Sequence, residues 1–124
     1  MIHEVKSTDW AAFCLRLTQQ RAGALVKLET MESNGIKTER VASATFQSMV
    51  FDKSDACNDV ITLRLRNARD IVQEILDPIR ITLHSSGDAD GFNPLQIVAE
   101  NGTTILTLHP AIHAQVLEGE VKVN

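Results

Sequence analysis

Two Asn-Gly pairs, Asn34-Gly35 and Asn101-Gly102, each set between runs of alternating apolar residues, constrain this chain more than any other feature. Both residue types tolerate positive φ, which the two-residue turn of a twisted hairpin requires. Asn101-Gly102 separates residues 94–100 from 103–109, with Leu95 and Ile97 before it and Ile105, Leu106 and Leu108 after it. That is a strong short-range hairpin signal. Asn34-Gly35 joins residues 24–32 to 36–51 in the same way. Successive hairpins build an antiparallel meander and argue against the long crossovers that a parallel sheet needs.

The runs between the turns have the period of strands. Ile61, Leu63 and Leu65 alternate with Thr62, Arg64 and Arg66, so residues 60–66 send one row of side chains to a core and one to water. Val26 and Leu28 alternate with Lys27 and Glu29, and Ile79, Ile81 and Leu83 with Arg80, Thr82 and His84. If residues 36–51 are extended throughout, Ala42, Ala44, Phe46, Ser48 and Val50 share a face. A strand that long must bend or carry a bulge in a small domain. Ile71, Val72, Ile75 and Leu76 fit a short helix as well as a strand. The extended path through Ile71, Gln73 and Ile75, broken by Asp77-Pro78, favours the strand.

Only the start reads as helix. Over residues 7–20, Trp10, Phe13, Cys14 and Leu17 follow the i, i+3, i+4, i+7 spacing of one stripe. Ser7 or Thr8 supplies the cap and Gly23 the stop. The predicted fold is α+β, mainly β: an N-terminal helix packed on a strongly bent antiparallel meander of about six strands. That meander is either a small barrel resembling the Sm-like and SH3-like barrels or an open curved sheet wrapped around the helix. The long second strand favours the barrel. Residues 1–109 form a single compact domain on this reading. Residues 110–124 form a C-terminal tail, free to turn helical, pair as a strand or stay disordered.

The 124 residues suffice for one domain with its own core. Sixteen acidic against twelve basic residues give a net charge of −4, which argues against a broad phosphate-binding surface. Aromatic residues make up 4% of the chain, too few for platforms that stack single-stranded nucleic acid. Residues 1–6 lack the basic-then-apolar pattern of a signal peptide, and no run nears the ~18 apolar residues of a membrane span. Cys14 and Cys57 are the only cysteines. The expected setting is the cytoplasm, with both thiols reduced.

No residue set has the spacing of a catalytic, cofactor or metal centre. Cys14 lies on the apolar helical stripe, where a thiol packs rather than reacts. Cys57 neighbours Asp55 and Asp59, whose charges disfavour a thiolate. His109 and His113 have the i, i+4 spacing of helical zinc ligands, but Pro110 pushes His109 out of a helix and no third ligand accompanies them. The acidic loops at 52–59 and 88–91 do not reproduce the ordered ligands of a calcium loop. The one candidate surface is basic. Arg64 and Arg66 point outward from their strand, Arg69 follows in the turn, and Arg80 could join them across the sheet to hold an anionic partner.

Trp10-Ala11-Ala12-Phe13, residues 21–29, Asp77-Pro78-Ile79-Arg80-Ile81 and Asn101-Gly102-Thr103-Thr104-Ile105-Leu106 resemble a family of small uncharacterised prokaryotic domains. Its pattern is a Trp-x-x-Phe helix followed by a β-meander, and the resemblance covers most of residues 3–109. It implies one compact domain and brings no assigned activity. Where that pattern often has a histidine, this chain has Gln73. Function is therefore expected from the surface: a non-enzymatic domain that self-associates or docks a protein partner. A strand edge could serve, or the tail, where Val121 and Val123 alternate with polar residues. The alternatives are a pocket for a small apolar or anionic ligand and, more weakly, RNA binding in the manner of Sm-like barrels.

Overall fold

One long strand organises the molecule, because it serves two neighbours in succession. The computed structural model describes residues 2–53, 59–85, 91–113 and 116. Its elements are β1 (Ile2–Val5), a single 3-10 turn (Ser7–Asp9), α1 (Trp10–Arg21), β2 (Leu25–Met31), β3 (Lys37–Asp52) and β4 (Val60–Arg66). Then come β5 (Asp70–Leu76), β6 (Pro78–Ser85), β7 (Gly91–Ala99), β8 (Gly102–His109) and β9 (Ile112–His113). The strands form one antiparallel sheet in the order β1-β6-β7-β8-β2-β3-β4-β5, with β9 beside β7. The fold is α+β and mainly β, with nine strands among the described residues rather than about six. The sheet is not closed into a barrel: its path ends at β1 and β5.

β3 pairs with β2 from Lys37 to Thr45 and with β4 from Thr45 to Asp52. A register shift between Phe46 and Ser48 marks the change of partner. A bulge inserts one residue and so exchanges the two faces of a strand. Ala44 and Phe46 are buried, but beyond the bulge Met49 takes the core position and Val50 is exposed. The face expected from Ala42 to Val50 therefore holds only in its middle. A second shift, between Pro78 and Arg80, leaves Ile79 exposed while Ile81 and Leu83 are fully buried.

The β7–β8 hairpin forms, but its turn sits one residue earlier than expected. Ala99 pairs with Gly102, so Glu100 and Asn101 make the turn. Among the described residues Asp77 is the only non-glycine with positive φ, so the mirror-image turn is not used. Gly102 has φ 143°, and a β-carbon there would meet the Met31 carbonyl oxygen at 3.0 Å. Close approach to β2, rather than turn type, demands this glycine.

The helix stripe of Trp10, Phe13, Cys14 and Leu17 is buried against the sheet, as its spacing predicts. Neither Ser7 nor Thr8 caps it; the 3-10 turn leads in, with no side-chain bond at the N-terminus. The segment set apart as a tail is partly core: Ile112 and Val116 are buried. Arg21 Nε donates to the Ala111 carbonyl at 2.9 Å, and Arg16 Nε donates to that of Val116 at 2.6 Å, fastening this segment to α1. Val121 and Val123 lie outside the described residues. β1 escaped the sequence reading because four residues are too few to show a period.

Candidate functional site

The four arginines do not form one stripe. Arg64 and Arg66 stand on the exposed face of β4, with Arg69 in the turn that follows. Arg66 Nε lies 3.7 Å from Asp70 Oδ1. Arg80 belongs to β6, with β7, β8, β2 and β3 between it and β4, and its Nε sits 3.9 Å from Glu4 Oε1. The basic surface thus splits into a cluster beside β5 and a single arginine near β1. Glu29 and Glu39 flank Lys27 rather than any of these arginines.

The other candidates separate as well. Cys14 is buried, and loss of hydration pushes its thiol from 9.0 up to about 12, which keeps it protonated and unreactive. His109 ends β8 and His113 lies in β9, both exposed, so no helical ligand pair exists. Among the described residues no three His, Cys, Asp or Glu side chains gather to hold a metal, and no helix is long and apolar enough to cross a membrane. Cys57, Asp55, Asp88 and Asp90 lie outside the described residues. An open cleft of about 240 Å3 runs between β5 and the ends of β2 and β8, lined among others by Thr30, Arg40, Gln73, Glu74, Ile75 and Thr104. Arg40 Nε donates there to Thr30 Oγ1 at 2.9 Å.

Unpaired strand edges remain, and the sheet treats them differently. β1 is short, and the Trp10 indole donates to its Val5 carbonyl at 3.0 Å. Among the described residues the second half of β3 has no strand on its β2 side; α1 covers it. There the Thr18 hydroxyl donates to the Met49 carbonyl at 3.1 Å and accepts the Met49 N–H at 3.0 Å. The first half of β3 lacks a strand on the β4 side among the described residues, but it is bulged and carries Lys37, Glu39 and Arg40, features that discourage pairing. β5 is seven residues long, runs in unbroken register with β4, and has no ladder on its other side among the described residues.

The turns at either end of β4–β5 reveal which backbone groups of β5 face outward. Asn67 N–H donates to the Arg69 carbonyl, and Asp77 N–H donates to that of Asp59. Both pairs extend the β4–β5 register. Bonded and non-bonded pairs alternate along an antiparallel ladder, so Ile71, Gln73 and Ile75 turn their N–H and C=O toward β4. Asp70, Val72, Glu74 and Leu76 turn theirs away, and their side chains are exposed. The same phase carried across β4 points Met49 of β3 away from β4, where Thr18 meets it.

Comparison with protein-family profiles, with curated proteins and with solved structures finds no match for this chain. The site therefore rests on geometry. Sequence reading recognised β5 as a strand but not as an edge. Asp77 was the available signal: a single residue joins β5 to β6, too short a link for the chain to reverse into a β5–β6 hairpin.

Proposed function

We propose that the protein is a non-enzymatic association module that takes up an extended strand at the β5 edge. The supporting observation is the row of outward N–H and C=O groups on Asp70, Val72, Glu74 and Leu76, facing no strand among the described residues. Such a row is a template for a further strand, with main-chain bonds giving affinity and alternate side chains giving selectivity. A seven-residue peptide of the β5 sequence, titrated into the labelled chain, tests this by amide chemical shifts. Shifts concentrated at residues 70–76 are expected; an unmoved spectrum at millimolar peptide would refute strand addition. The resemblance to small prokaryotic domains fits a compact module and adds no chemistry.

A second reading is a small anionic ligand in the cleft, favoured by Arg40 standing with the Thr30 and Thr104 hydroxyls and the Gln73 amide. The volume is below the usual ~300 Å3 of ligand pockets, and Glu32 and Glu74 share the lining. Acetate and inorganic phosphate at low salt should shift Arg40, Thr30 and Gln73; absence of any shift ends this reading.

A further inference from the structure

We propose that the strand received at the β5 edge is β5 of a second copy, antiparallel about a two-fold axis through Gln73. This rests on the strand-addition reading and adds the partner and the register. An axis lying between residues would oppose outward groups with inward ones and turn the core face of one copy to water in the other. The axis must therefore pass through a residue. At Val72 it sets Asp70 opposite Glu74 of the second copy; at Glu74 it sets Glu74 against itself. Like charges directly opposite each other destabilise a pair. Axes nearer either end shorten the overlap.

Only the axis at Gln73 pairs all of β5 without such a clash. Val72 then faces Glu74 of the second copy, and Asp70 faces Leu76, each exchanging both main-chain bonds, since all four residues have the outward phase. Ile71 meets Ile75 of the second copy on the core side, continuing a face on which Ile75 is already buried. Gln73 meets its own copy in a non-bonded pair, amide beside amide. Arg64 is the β4 neighbour of Val72, so it stands two strand spacings, about 10 Å, from Glu74 of the second copy. Arginine and glutamate side chains together span that gap, which gives the basic face of β4 a role in orienting the pair. The same strand edge is thus self-complementary, as a two-fold interface requires.

Sedimentation equilibrium of the full chain should show a concentration-dependent species of twice 13.7 kDa. Val72→Pro removes an outward N–H and no bond to β4, so it should give a folded monomer, while Val72→Thr keeps the dimer. In a Cys57→Ser background, Gln73→Cys should oxidise to a linked dimer, its Cα atoms lying about 4.5 Å apart. Glu74→Cys should not, because its Cα atoms would stand beyond the ~7 Å that a disulfide spans. A chain monomeric at millimolar concentration, or a dimer indifferent to Val72→Pro, overturns the proposal. Peptide uptake by a monomeric chain would leave strand addition standing and remove the second copy. A dimer that cross-links through position 74 and not 73 would remove the register alone.

Discussion

The two ends of the sheet solve the same physical problem in opposite ways. β1 is four residues long and has its Val5 carbonyl covered by the Trp10 indole, which donates to it. That indole ring also meets Phe51 edge-on at 5.4 Å, tying the β1 end to β3. β5 is nearly twice as long, unbroken in register, and has neither helix nor aromatic cover on its outward side among the described residues. An edge is quieted by shortness, cover or charge. β1 has the first two; β5 has only Asp70 and Glu74. The difference teaches that the described residues close the sheet on the helix side and leave it open at β5.

Breaking that contrast should be costly at one end and cheap at the other. Trp10→Ala removes the indole bond and the Phe51 contact and should cost about 3–5 kcal/mol in urea unfolding; a loss below 1 kcal/mol would mean that Trp10 does not close the β1 end. Cys14, on the same stripe, titrates near 12 when folded and 9.0 when free. A raised folded value means that the native state holds the proton longer. Its contribution is complete below pH 9 and lost as pH rises toward 12, at about 1 kcal/mol per pH unit. Stability curves of wild type and Cys14→Ala should run parallel below pH 9 and converge above it. Parallel curves throughout would mean that the thiol is hydrated.

Smaller changes sharpen the comparison. Thr18→Val strips both bonds from Met49 on the covered edge of β3 and should cost about 1–2 kcal/mol, with faster amide exchange at Met49. Unchanged exchange there would show that α1 shields this edge without the hydroxyl. Arg66→Met removes an exposed ion pair beside β5 and should change monomer stability by less than about 1 kcal/mol. A larger loss would show that the open end depends on its surface charges after all.

Much of the fold was legible because alternation is strong where a strand has one wet and one dry face. Ile61, Leu63 and Leu65 are fully buried between exposed Arg64 and Arg66, and β4 has the expected bounds. Trp10, Phe13, Cys14 and Leu17 declared the helix equally well. The failures cluster where geometry departs from period. Val50 lies beyond one register shift and Ile79 within another, so their parity points the wrong way. Gly102 was read as a turn residue, yet it is constrained by the Met31 carbonyl of another hairpin. For the candidate site, the sequence showed outward Arg64 and Arg66 but not that Arg80 would be strands away, nor that β5 would have one neighbour only among the described residues.

By itself the sequence determined the longer strands, the helix, and which side chains of each regular stretch seek the interior. These are properties of a few consecutive residues, set by backbone period and side-chain hydration. The tertiary structure decided strand order, the bulges that reverse a face, and which edges receive cover. Those depend on residues distant along the chain burying one another, as Trp10 does at Val5 and Phe51, and no local pattern records the choice.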